Sequence, residues 1–220
     1  MPVHVQTVLD RAAKSLSDVD GIRWPPATKL DYFNDGLLEI AVQKPSAFAR
    51  TVELELVEGT LQAVPDEYST LIRVVRNVDT GRVVTPARRD VLNDQFLDWH
   101  SPEIVPYSPI VQHVCADEFE PRRFYVFPGN DGTGKVEAIL ALIPEKIEAV
   151  TSETEAELDR TYANALANYI AFRCYGEDMI LNNAPPRAQA HYELFQAALG
   201  IRQNIEGVAN VNTANRSYGA

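Results

Sequence analysis

Residues Gly129 through Lys135 satisfy Gly-x-x-x-x-Gly-Lys, the spacing with which a backbone loop cradles phosphate and aims a lysine at it. An apolar run precedes it, as a phosphate-binding loop requires. Two features oppose that chemistry. The eighth position is Val136, where a magnesium-binding hydroxyl belongs, and Pro144 ends the following apolar stretch before a long helix can form. A phosphate cradle needs a helix N-terminus aimed at the anion. The residues Gly129-Asn130-Asp131-Gly132-Thr133-Gly134 therefore read as a hairpin loop between two strands.

The other reactive side chains form no constellation. His4, His100, His113 and His191 share no i, i+4 spacing and no paired metal motif. Asp98, His100 and Ser101 are too close in sequence to take triad geometry among themselves. Glu153, Glu155, Glu157 and Asp159 read as the acidic opening turns of a helix, where negative charge offsets the dipole. Arg88-Arg89 and Arg122-Arg123 can meet phosphate or carboxylate, and their acidic neighbours make local ion pairs the default. Tyr162, Tyr169, Tyr175 and Tyr192 suit packing between helices. Neither a catalytic residue, a metal ligand nor a cofactor contact is assigned.

With 31 acidic and 20 basic residues the chain carries a formal charge of −11, which argues against tight nucleic-acid binding. Such a charge keeps a protein soluble, and it also suits a wall past which DNA slides. Apolar residues make up 45%, enough for a sizeable core. Cys115 and Cys174 lack metal spacing and read as buried thiols in a reducing compartment. Neither a signal peptide nor a run of about 20 apolar residues for a membrane is visible.

The elements that must position these residues are helical at both ends of the chain and strand-like between. Val5, Val8, Leu9, Ala12 and Leu16 mark one helix face, reading from about Val3 and closed near Gly21. Thr28 is an N-cap candidate for a second helix with Leu30, Phe33, Leu37, Ile40 and Ala41 inward, stopped by Pro45. Thr51 to Leu56, Leu61 to Val64, Leu71 to Val78, Arg82 to Val84, Val111 to Cys115, Phe124 to Phe127 and Lys135 to Ile143 read as strands. Thr85-Pro86 reads as the opening of a short helix through Gln95. Ser152-x-x-Glu155 reads as a capping box opening the strongest helix, lined by Leu158, Tyr162, Ala165, Leu166, Tyr169 and Phe172. A last helix has Ala188, Tyr192, Phe195 and Leu199 inward and closes at Gly200.

The fold class expected is α+β: a four-helix bundle from the N- and C-terminal segments, a β-rich insert and an extended C-terminal arm. The divisions are 1–47 and 151–202 for the bundle, 48–150 for the insert lobe and 203–220 for the arm. The arm is polar, too poor in apolar surface to fold alone, and able to order on a partner. Its candidate partner-binding residues are Asn204, Asn210, Asn212, Asn215, Arg216 and Tyr218.

Several pieces in order resemble one family. They are Arg23-Trp24-Pro25, Leu30, Phe33-Asn34-Asp35-Gly36 and Glu39-Ile40; Leu71 to Asn77; Asp90 through Trp99-His100; and Phe124 to Pro128. Tyr162 to Leu166, Tyr169, Arg173, Tyr175, Asp178, Ala190-His191-Tyr192 and Phe195 complete the set. Together they resemble the head-to-tail adaptors of short-tailed bacteriophages, also called tail tubular or gatekeeper proteins. The resemblance implies a non-enzymatic virion protein of the neck, assembled in the host cytoplasm. It implies a ring of about twelve copies beneath the portal, with DNA as passing cargo and a surface for the tail nozzle and fibres. Two rivals remain: another neck or tail-completion (stopper) component, and a small nucleotide-dependent enzyme using Gly129 to Lys135.

Overall fold

The computed structural model describes residues 1–116, 119–178 and 183–209, with side chains through residue 200. Two compact units divide the chain. One joins Met1–Ala47 to the chain from Pro144 onward; the other is Phe48–Ile143.

The first unit is helical and draws on both ends of the sequence. Helix α1 (Val5–Leu16) buries Val5, Val8, Leu9, Ala12, Ala13 and Leu16, the face its spacing predicts. It does not start at Val3: Pro2–His4 is a strand, β1. Nor does Gly21 close it. Ser17 takes the left-handed backbone (φ 55°), and the Asp18 N–H reaches back to the Ala13 carbonyl at 2.9 Å. Helix α2 (Pro26–Gln43) opens two residues before Thr28, because Pro26 needs no N–H in a first turn.

Helix α4 (Ala163–Gly176) is the hub of this unit. It packs against α1, α2 and the last helix, α5 (Ala184–Ala209). Its buried residues run round the helix: Ala163, Ala165, Leu166, Ala167, Tyr169, Ile170, Ala171, Cys174 and Tyr175. A helix enclosed on several sides needs small residues where neighbours approach, and four alanines supply them. The bundle of α1, α2, α4 and α5 with a β-rich insert is the fold class expected.

Two further expectations in this unit fail. Ser152 does not cap a helix: Glu155–Asp159 is strand β9, antiparallel to β1. Its alternation buries Ala156 and Leu158 and exposes the acids, so the acidic cluster lines a strand. A short 3-10 turn, Arg160–Tyr162, then leads into α4. Gly200 does not close α5, which continues to Ala209; a glycine inside a helix costs about 1 kcal/mol and is outweighed by packing of the preceding turns. Residues 203–209, assigned to the arm, are therefore helical.

The second unit is a pair of sheets. One has the order β2-β8-β4, from Ala49–Glu55, Lys135–Leu142 and Tyr68–Asn77, all antiparallel. The other has the order β3-β7-β6-β5, from Gly59–Ala63, Arg123–Asn130, His113–Ala116 and Thr85–Pro86. Their inner faces share one core that includes Leu54, Val74, Val114, Phe124, Val126, Val136, Ala138 and Leu140. The outer face of β6 and β7 is covered too. Cys115, Tyr125 and Phe127 pack with Trp99 and with Leu92 of α3 (Arg89–Gln95). That is why Phe124-Tyr125-Val126-Phe127 is apolar on both faces. Thr85-Pro86 is strand, parallel to β6, and the short helix begins only at Arg89. Proline is tolerated there because the strand lies at the sheet edge.

Candidate functional site

The phosphate-loop spacing belongs to a closed loop between two strands, but not to the hairpin expected: β7 pairs with β3 and β6 while β8 pairs with β2 and β4, so the loop crosses from one sheet to the other. Gly129 and Asn130 end β7, and Lys135 begins β8. Asn130 is fully buried. Its Oδ1 accepts from the Gly132 N–H at 2.8 Å and the Gly134 N–H at 3.2 Å, and its Nδ2 donates to the Ser108 carbonyl at 3.1 Å. The Gly132 and Gly134 amides that would cradle an anion are thus taken by one carboxamide, and the Thr133 N–H donates to Asp131 at 3.0 Å. The glycines answer to space: a Cβ on Gly134 would lie 2.3 Å from the Pro109 carbonyl, and one on Gly129 would lie 2.5 Å from the Tyr107 ring. Lys135 Nζ sits 2.6 Å from Glu55, and this contact holds the Glu55 carboxyl below its ordinary range.

The remaining reactive candidates are also held in structural contacts. His100 Nδ1 meets the Thr60 hydroxyl at 2.7 Å while its ring lies against Trp99; burial first, then the nearby Arg89 charge, pushes its pKa down. Asp98 and Ser101 meet through the backbone, Ser101 N–H to Asp98 carbonyl at 2.9 Å. His4 is 3.3 Å from Glu155, His113 meets Thr85 and His191 meets Asn168. Arg88 pairs with Asp90, Arg122 with Asp66 and Arg123 with Glu120, while Arg89 lies over the Tyr125 ring. Burial pushes the Cys115 thiol up to about 11 and Cys174 up to about 12, so neither is a nucleophile at neutral pH. Among the described residues no group of three or more His, Cys, Asp or Glu is placed to hold a metal.

The densest polar constellation lies where the α1–α2 loop, α2 and the end of α4 meet. Asp18 is its centre. One carboxylate oxygen accepts from Ile22 N–H (2.9 Å) and Arg23 N–H (3.1 Å), the other from Trp24 N–H (2.9 Å). Buried Lys29 places its ammonium 4.0 Å from the same carboxylate. Burial works to raise the Asp18 pKa, but the backbone donors and Lys29 together outweigh it and the net shift is downward. Arg23 reaches Asp178 at 2.6 Å, and Trp24 packs edge-on against Tyr175. Arg173 binds Asp35 at 2.6 Å and covers the Tyr32 ring. The Tyr32 hydroxyl donates to Glu177; burial and this acceptor raise its pKa.

Further along α2, Asn34 both donates to and accepts from the backbone of Ile147, at 3.0 and 2.9 Å. Gly36 lets α2 approach α4: a Cβ there would lie 3.0 Å from Tyr169 and 3.1 Å from Leu166. The pieces Arg23-Trp24, Phe33 to Gly36, Arg173, Tyr175 and Asp178 are thus brought together in one clamp. Sequence reading missed Asp18, Lys29, Tyr32 and Glu177, though a lysine inside the apolar stripe of α2 was a readable sign of a buried partner. Tyr162, Tyr169 and Tyr175 are buried in the bundle, and Tyr192 packs on Phe172 and Phe195. Of the arm residues, Asn204 falls in α5, while Asn210, Asn212, Asn215, Arg216 and Tyr218 lie outside the described residues.

These features define an α+β scaffold protein: helices from both chain ends around a common hub, with a double-layered β insert. Residues 4–217 match the SU10 adaptor protein family, and the chain belongs to that family, a head-to-tail adaptor family of short-tailed phages. It is a structural bacteriophage protein, an adaptor between portal and tail. A comparison with curated proteins finds no match. No helix among the described residues is long and apolar enough to cross a membrane.

Proposed function

We propose that the protein acts without catalysis, as the subunit of a closed ring of about twelve copies beneath the portal. The ring continues the DNA channel and offers its outer surface to the tail nozzle and fibres. Assembly takes place in the host cytoplasm before the tail is completed. The partner-binding segment is the C-terminal arm, with Asn204, Asn210, Asn212, Asn215, Arg216 and Tyr218 engaging the portal or a neighbouring subunit. The observation that supports this reading is the family match across nearly the whole chain. A net charge of −11 fits a channel that lets DNA pass without holding it.

The test is the mass of the purified protein alone and with portal, for the full chain and for a chain lacking residues 210–220. A portal-bound complex with multiple copies is expected, weakened by the truncation while helical circular dichroism stays nearly unchanged. A full chain that never joins portal refutes the reading, and a truncated chain that assembles normally refutes the role of the arm.

A further inference from the structure

We propose that the edge of β2 is the receiving site for the C-terminal segment of a neighbouring copy, which adds to the sheet as a further strand. This rests on the ring reading above and names the surface that the arm meets.

The four edge strands of the insert are not equally open. β4 slips register at three places against β8, β3 slips once and is five residues long, and β5 has two residues. Bulges and shortness are the ordinary protections of a sheet edge. β2 has neither: its seven residues pair with β8 in unbroken register from Ala49↔Ala141 to Glu55↔Lys135. The Leu56 N–H donates to the Gly134 carbonyl at 2.9 Å, which fixes the alternation. Residues 50, 52, 54 and 56 bond inward to β8, so Thr51, Glu53 and Glu55 turn their N–H and C=O groups outward. Their side chains are exposed, and their outward backbone groups have no partner among the described residues.

Charge selects the occupant. Across the exposed face of this sheet, Arg76, Glu137 and Glu53 stand in one row. Arg76 binds Glu137 through Nε (3.1 Å) and a terminal nitrogen (2.8 Å) from the β4 side. The row ends at the edge on Glu53, an acid beside an acid, so a cation on an added strand would complete it. Residues 210–216 read Asn-Val-Asn-Thr-Ala-Asn-Arg, without proline or glycine, so each residue can donate to a ladder. Arg216 is the only side chain of 210–220 charged at neutral pH, and it is a cation. Symmetric β2–β2 pairing between copies would instead set glutamates against glutamates. Residues 210–220 span up to roughly 36–40 Å when extended.

The experiment mixes two forms of the full chain, one carrying Thr51→Cys and the other either Ala214→Cys or Tyr218→Cys, the positions that fall opposite Thr51 in a parallel or an antiparallel strand when Arg216 stands beside Glu53, with portal, under mild oxidation. Assembly mass is measured in parallel. The expected result is a disulfide-linked pair of different chains in the portal-bound state. That band is lost when the Thr51→Cys chain also carries Glu53→Pro, which removes an outward donor and spares the inward ladder, and it is reduced with Glu53→Lys. Circular dichroism checks that both variants remain folded, and the lysine variant keeps the test open if the proline variant does not. Assembled complexes without the mixed band overturn the β2 assignment and leave the ring reading standing. Linkage between two Thr51→Cys chains means edge-to-edge pairing; in a parallel sample of a chain carrying both cysteines, linkage within that chain with none between chains means the arm folds on its own subunit; either overturns the proposal. Absence of any assembly overturns the ring reading and this inference together.

Discussion

Replacing Gly36 with alanine sets helix propensity against packing, and Gly200 provides the matched control. Both glycines lie inside helices, α2 and α5. At an open helical position alanine is favoured over glycine by about 1 kcal/mol. A Cβ at Gly200 meets nothing within 4 Å among the described residues, so Gly200→Ala should stabilise by about that amount. At Gly36 the same atom would lie 3.0 Å from the Tyr169 ring and 3.1 Å from Leu166. Neither neighbour can yield: Leu166 is fully buried, and Tyr169 is held between Phe172 and Phe195. Overpacking of this kind costs roughly 1–3 kcal/mol, which leaves Gly36→Ala destabilising by about 1 kcal/mol after the propensity gain. Urea unfolding followed by helical circular dichroism reads the difference. With an m-value of about 2 kcal/mol/M, the two midpoints should move apart by about 1 M in opposite directions at constant m. Leu166→Ala alone should cost roughly 2–5 kcal/mol, and in that background Gly36→Ala should lose much of its penalty. A rise in midpoint for Gly36→Ala matching that of Gly200→Ala would refute the close approach of α2 and α4.

Two further predictions follow from the polar contacts. The folded-state pKa of Asp18 lies below its ordinary 3.8, so its contribution to stability is complete above that value and drains away as the pH falls through the lower folded value. Urea midpoints between pH 6 and pH 2.5 should therefore fall less steeply for Asp18→Asn than for the unmodified chain, on the order of these pH values from the carboxylate range; equal slopes would exclude Asp18 as an acid-sensitive site. Asn130→Ala should destabilise by roughly 1–3 kcal/mol by stranding buried amides of the loop between β7 and β8, whereas Lys135→Ala should leave the fold intact and change no nucleotide-binding signal, because none is expected. Saturable, Lys135-dependent ATP binding in a fluorescence titration would contradict the reading of this loop as purely structural.

Legibility in the sequence followed the range of the interactions. α1 is set by neighbours in sequence, and periodicity finds it; β7 and β8 were legible as apolar runs, but not their division between two sheets, because β8 pairs with the distant β2 and β4. β1 and β9 pair across some 150 residues, as in Val3↔Ala156, so only the alternation Glu155-Ala156-Glu157-Leu158-Asp159 hints at them. A local capping pattern at Ser152 overrode that hint. Helix ends were hardest, because Ser17, Pro25 and Gly200 each depart from the residue preference that marks a boundary. The clamp residues Arg23, Asp35 and Arg173 were visible as pieces of a pattern. Their partners Asp18, Lys29, Tyr32 and Glu177 were not, since a buried ion pair between distant segments leaves no local period.

The helical unit has its hub, α4, late in the chain, while α1 and α2 are made first. During synthesis those two helices emerge with apolar faces and no central helix to cover them, whereas residues 48–143 hold all the strands of their own sandwich. The insert can therefore fold on the ribosome, and the scaffold closes only after translation has passed Gly176. A chain cut short before α4 would thus keep a folded insert and leave the inner faces of α1 and α2 uncovered.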